Sequence, residues 1–165
     1  MKVWVHAVGR MKAGPEKELA DRYLDRFSKS GGPLGLDFSG VTEIAESRAQ
    51  NVDERRREEA DRLRAQMASG QMASGTALIL LDERGKNFSS QQFADKIASL
   101  RDGGQRGLMI AIGGPDGHDE ALRSEAQLLL SFGAATWPHQ MVRIMLGEQL
   151  YRAATILSGH PYHRA

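Results

Sequence analysis

The chain has no cysteine in its 165 residues. That excludes a disulfide scaffold, a thiolate zinc site, an iron–sulfur cluster and a cysteine nucleophile. Nowhere does an apolar run approach the ~20 residues of a membrane span. The opening MKVWVHAVGRMK has too short an apolar run for a signal peptide, and no small-residue cleavage site comes after it. A reduced, cytoplasmic compartment is expected. An excess of one charge is missing too: 22 Lys+Arg against 21 Asp+Glu leave +1, far from the basic footprint of a dedicated nucleic-acid binder. No GxSxG occurs, and no HxxxH or HxH pair, so a serine hydrolase and a metal site both lack support.

What is present suits one soluble domain spanning residues 1–165. With 41% hydrophobic and 26% charged residues, a chain this long buries roughly 70% of its unfolded surface and needs no staples. Charge is unevenly spread. From Ala126 onward Glu148 is the sole acid, against Arg143, Arg152, Arg164 and the histidines 139, 160 and 163. A phosphate-bearing ligand would prefer that third.

Lys2–Val8 reads as a strand and Pro15 opens a helix with Leu19, Tyr23, Leu24 and Phe27 on one face. Leu34–Ile44 is a less regular strand. Asn51–Met67 is a charged surface helix with Asp53/Arg57 and Glu58/Arg62 at i,i+4. Gln66–Gly75 is a tandem QMASG duplication, either a lid or a tolerated loop insertion. Thr76–Leu81 and Gly107–Ile112 are continuous apolar runs of the kind buried in parallel sheets, and Phe88–Leu100 between them is helical. Asp119–Leu130 reads as a helix, Phe132–Trp137 as a short strand and Gln140–Leu157 as the last helix. This alternation predicts an α/β fold, a mostly parallel sheet with helices on both faces.

Ligands of such sheets bind outside the carboxyl ends of the strands. Three ends stand out: Leu81-Asp82, the loop Gly113–Gly117 and Thr136–His139. GGPDG is neither a dinucleotide fingerprint nor a P-loop. It is either a tight turn at a helix entrance or a place where backbone amides approach a ligand. The last helix is apolar nearly all round, which implies complete burial or a homodimer interface. Arg143 and Arg152 rise from it as ion-pair partners, with Glu148 nearby, or as anchors for RNA phosphate. The ending HPYHRA is a frayed terminus or a functional tail in which Tyr162 stacks on a base, His163 moves a proton and Arg164 holds a phosphate.

Taken together, LLDERGK at 80–86, IGGPDG at 112–117, WPHQMVRIMLGEQLYRA at 137–153 and HPYHR at 160–164 resemble the ribosomal large-subunit methyltransferase H family, of the SPOUT class. VWVHAVGR and RYLDRF fit as well, so the likeness spans nearly the whole chain. It implies a C-terminal trefoil knot, a homodimer, and S-adenosyl-L-methionine as the donor for methylation of N3 of a pseudouridine in large-subunit (23S) rRNA of the ribosome. It places the cofactor at Leu81, Gly113, Phe132, Gly133, Ala134, Ala135, Thr136 and Trp137, the last where the family commonly has leucine. Ala165 stands where a terminal glutamate is usual. On this likeness His163 is the candidate base and Tyr162 stacks on the extruded base. His139 and Arg143 hold RNA or an enolate-like oxygen, and Arg152 and Arg164 hold RNA phosphate. No metal and no membrane contact is expected. The alternatives are a non-catalytic ribosome-assembly factor of the same fold, or a SPOUT enzyme acting on another nucleotide.

Overall fold

The computed structural model describes residues 1–69, 72 and 75–164. Positions 70, 71, 73 and 74 of the QMASG duplication, and Ala165, lie outside them.

Alternation along the strands decides the layering. In β1 (Lys2–Val8) Val3, Val5 and Ala7 join one apolar cluster while Trp4 joins another. The first cluster is closed by α1 (Pro15–Gly31), α3 (Ser90–Asp102) and α5 (His139–Leu157). The second is closed by α2 (Val52–Met67) and α4 (Glu120–Glu125). Helices thus cover both faces. The remaining strands are β2 (Asp37–Ile44), β3 (Thr76–Asn87), β4 (Gly107–Ile112) and β5 (Leu128–Ser131). Among the described residues the sheet has five strands in the order β2-β1-β4-β3-β5, and every pairing is parallel. β4 is buried at all six positions, which is why its sequence shows no alternation.

Several elements differ from the sequence expectation. Asp119–Leu130 is not one helix. Asp119 Oδ2 caps α4 by accepting from the amides of Ala121 and Leu122, but Ala126 is extended and Leu128–Ser131 becomes β5 beside β3. A short leucine run suits either state, and the open edge of β3 decides it. Phe132–Trp137 is therefore not the strand; it is the loop after β5, with positions 134–138 exposed. Leu34 belongs to a 3-10 turn, Gly32–Leu34, before β2 begins at Asp37. Asp82–Gly85 does not end β3: the ladder to β5 breaks after Leu81 and resumes at Lys86. On α2, Glu58 does pair with Arg62 at 3.6 Å, whereas Asp53 meets Arg56 instead of Arg57. No helix among the described residues is long and apolar enough to cross a membrane.

Candidate functional site at the carboxyl ends of the sheet

The register builds the site. Leu81 of β3 lies opposite Ile112 of β4 on one side and Leu130 of β5 on the other. The three residues so lie level across the sheet, and Asp82, Gly113 and the loop from Phe132 continue the chain beyond them. Together these segments border a cleft of about 670 Å³, within the size range of small-molecule sites. Leu81, Gly113, Phe132, Gly133, Ala135, Thr136, Trp137 and His139 all line it; Ala134 does not.

The glycine loop is held from below and from the side. Its amide at Gly117 donates to the Gly114 carbonyl at 3.0 Å, closing a tight turn. Gly117 has φ 78, a left-handed conformation suited to glycine. A Cβ on Gly114 would lie 2.9 Å from Glu59 Oε2 and 3.1 Å from Val8 Cγ1. Asp116 accepts from Arg55 at 2.6 and 3.2 Å, and its carbonyl accepts from Arg56 Nε at 2.7 Å. The Arg55 guanidinium holds the Asp116 carboxyl below its ordinary range. On the other flank Asp82, buried, accepts from Arg123 Nε at 2.6 Å. Behind the loop sits His118, 6% exposed, with Nε2 3.1 Å from the Leu81 carbonyl. Burial pushes its pKa down. Sequence reasoning missed Arg55, Arg56, Arg123 and His118, because their partners come from elements distant in sequence. One clue was visible: five arginines on an otherwise acidic α2 exceed what i,i+4 pairing consumes.

The wall made by the last loop is closed by Trp137, whose indole N–H donates to the Phe132 carbonyl at 3.2 Å. Trp137 is 42% exposed, so its ring remains available to a ligand. Leu81, Ile112, Leu130 and Phe132 complete an apolar side facing the polar glycine loop. Such a surface fits an adenine and an amino-acid group on one molecule. His139 opens α5 at the cleft, and its Nδ1 is buried with no partner among the described residues.

The remaining candidates lie elsewhere. Arg143, 8% exposed, turns to the opposite cavity between α1, α5 and β2. There it pairs with Glu43 and donates to the Gly9 carbonyl. Arg152 takes the Glu148 partnership: its Nε donates to Glu148 Oε1 at 2.9 Å. The tail packs on this pair instead of fraying. The Tyr162 hydroxyl is 3.1 Å from Glu148 Oε1, its ring packs tilted at 53° against Tyr151 with centroids 4.7 Å apart, and Arg152 lies 4.9 Å over it. Burial and the Glu148 carboxylate push the phenol up to about 12. Arg152 Nη1 is 3.4 Å from His163 Nδ1. Arginine only donates, so at this contact Nδ1 is the acceptor. Arg164 is exposed and has no partner among the described residues. From His139 to Arg152 the helix rises roughly 20 Å, so the tail docks toward the opposite end of α5 from His139. Among the described residues no cluster of three His, Asp or Glu could hold a metal ion.

Comparison with known proteins adds to this geometry. A family model described as "Predicted SPOUT methyltransferase" matches residues 1–163. The chain is 67% identical over 165 residues to "Ribosomal RNA large subunit methyltransferase H" of Mesorhizobium japonicum, covering 100% of both chains. It is 61% identical over 165 residues to the protein of that name from Brucella anthropi, again with full coverage of both. Among solved structures, the SpoU methyltransferase AviRb of Streptomyces viridochromogenes, in complex with AdoMet, matches at 13% identity and a TM-score of 0.40. That match covers 97% of this chain and 58% of the other; so slight a likeness adds nothing to the sheet described above.

Proposed function

The chain belongs to the SPOUT methyltransferase family, and from that premise we propose that it transfers methyl from S-adenosylmethionine to N3 of a pseudouridine in large-subunit ribosomal RNA. The reading is carried by one observation: residues expected at the cofactor from three separate stretches, Leu81, Gly113 and, from the last loop, Phe132, Gly133, Ala135, Thr136 and Trp137, border a single cleft. In this reading residues 1–165 form one SPOUT domain, cytoplasmic, knotted at its C-terminal part and paired as a homodimer. The half-exposed Val142 and Met145 and the exposed Met141 of α5 suit a partner subunit.

Bound in the cleft, the cofactor supplies an activated methyl on a sulfonium, so the protein's part is placement and exclusion of water. Leu81, Phe132 and Trp137 enclose the adenine, with Gly133, Ala134, Ala135 and Thr136 as the backbone around it. The glycine loop at Gly113 receives the amino-acid end through its amides. His139 faces the incoming RNA at the start of α5. Arg143 holds the second turn of α5 against the ends of β1 and β2, a positioning part.

The target N3–H must lose its proton as the methyl arrives, and His163 is the acceptor. Its Nδ1 is released when Arg152 turns from it toward an RNA phosphate, with Arg164 on a neighbouring phosphate and Tyr162 stacked on the extruded base. The tail docks some 20 Å along α5 from His139, and in this reading it serves the cleft of the partner subunit. Near-neutral charge makes RNA binding weak and salt-sensitive in isolation, with the ribosome supplying further contacts.

Methyl transfer from labelled S-adenosylmethionine to methyl-deficient ribosomes, compared with naked rRNA, tests the reading. Label at a pseudouridine, and its loss when uridine replaces that base, is the expected result. Label on another nucleotide, or cofactor binding without transfer, would overturn it.

A further inference from the structure

We propose that His118 is a positioning residue for the cofactor: from behind the cleft it fixes the spacing between Leu81 and Gly113, which lie where the β3–β4 ladder stops and hold S-adenosylmethionine. The inference rests on the cofactor reading above and assigns a task to a residue outside the cleft.

His118 does not line the cleft. It lines a small cavity of about 10 Å³ between α2 and the sheet, together with His6, Glu59, Leu63 and Leu122. Its Nε2 stands 3.1 Å from the Leu81 carbonyl oxygen. A carbonyl only accepts, so Nε2 carries the proton and donates. The same edge of the ring fills the space above Gly113, where a Cβ would lie 3.1 Å from Cε1 and 3.2 Å from Nε2. One imidazole therefore touches β3 and the residue after β4 at once, where the ladder between them ends.

The place of this contact gives it its importance. The β3–β4 ladder runs up to the pair Leu81 and Ile112 and goes no further. Beyond it β3 leaves its register with β5 through Asp82–Gly85, and β4 turns into the glycine loop. Backbone pairing between β3 and β4 stops one residue short of Gly113, where the cofactor needs a fixed gap. His118 continues the connection by a side chain. Arg123 on Asp82 and Arg55 on Asp116 hold the outer flanks of the two loops, whereas His118 holds the backbone under the ligand. A gap set before binding spares the cofactor the cost of ordering it.

The experiment measures S-adenosylmethionine binding by calorimetry for wild type, His118→Leu and His118→Gln, with kcat and KM on methyl-deficient ribosomes and the melting temperature of each. Glutamine places an amide N–H where Nε2 stood; leucine keeps the volume and loses the donor. In His118→Leu the Kd and KM for S-adenosylmethionine should rise about 10-fold, the loss of one buried hydrogen bond to backbone, with kcat and the KM for ribosomes unchanged. His118→Gln should restore affinity to near wild type. A residue that only supports the fold would lower both melting temperatures and leave Kd alone, and that result overturns the inference. So does equal weakening by both substitutions. Should His118→Leu fail to fold, His118→Asn, whose amide ends short of Leu81, carries the same expectation. Wild type that binds no S-adenosylmethionine sinks the cofactor reading itself, which separates the two failures.

Discussion

Arg143 and Glu43, 100 residues apart in sequence, form an ion pair that ties the second turn of α5 to the end of β2. The guanidinium also donates to the Gly9 carbonyl at the end of β1. One side chain thus joins the last helix to the far side of the sheet. Its side chain is 8% exposed and that of Glu43 29%, so the pair is shielded on one side only. Glu43→Ala leaves a buried cation facing carbonyls and should cost about 2–3 kcal/mol by urea unfolding, below the full penalty of breaking a buried pair. Replacing both residues with leucine and methionine should cost less than either single change. A double variant weaker than both singles would refute the pairing as the source.

Tyr162 donates to Glu148, and its phenol is raised from 10.0 to about 12 by burial and by that carboxylate. The native state therefore favours the neutral phenol, while the unfolded chain ionises near 10.0. The stabilisation from this group is complete below pH 10 and is lost as pH climbs toward 12. Ultraviolet difference spectra should show one tyrosine fewer ionising at pH 10.5 in wild type than Glu148→Gln releases. Methyl transfer should show no limb from Tyr162 between pH 7 and 9.

His6 and His118 are both buried, and burial lowers both from 6.5. Each stays neutral in the fold while the unfolded chain takes a proton near 6.5, so stability falls as pH drops below that value. Glu59, raised above 4.5 by burial, acts in the opposite sense: its stabilisation is complete below 4.5 and is lost as pH rises through its folded pKa. The melting temperature should decline from pH 7 to pH 5, and less so in His118→Gln. A flat profile would count against two neutral buried imidazoles.

Gly85 lies against the backbone of β5: a Cβ there would meet three atoms of Leu129 and Leu130 at 2.7 Å. Backbone cannot swing aside, so Gly85→Ala should push β3 and β5 apart and cost about 1–3 kcal/mol. Gly113→Ala meets the His118 ring at 3.1 Å and should weaken cofactor binding more than stability. Urea unfolding and calorimetry on the two variants distinguish these outcomes.

If the tail serves the partner's cleft, a subunit with His163→Ala and a subunit with Gly113→Leu, each inactive alone, should complement each other. After random exchange about a quarter of wild-type activity should return, since half the dimers are mixed and each has one complete site. No recovery would assign the tail to its own subunit.

The third strand end, expected at Thr136–His139, lies at Ser131, but most of the strand–helix alternation, the burial of ALILL and GLMIAI, and the approach of Leu81 and the Gly113 loop to one cleft were legible in the sequence. They arise from short-range rules, because apolar periodicity and glycine spacing act over a few residues. The motifs in LLDERGK, IGGPDG, WPHQ and HPYHR likewise announced the family unaided. Other features depended on distance in space. Leu128–Ser131 is a strand because the open edge of β3 offers it hydrogen bonds that a helix of that length would not better. Arg143 meets Glu43 instead of Glu148 because the parallel sheet brings the end of β2 beneath the start of α5, while Arg152, one turn beyond Glu148, takes that acid. His118 reads in sequence as an incidental residue after a turn. Only the register of β3 against β4 puts the Leu81 carbonyl above its ring, since a side chain's task is set by what the fold places within 3 Å or so of it.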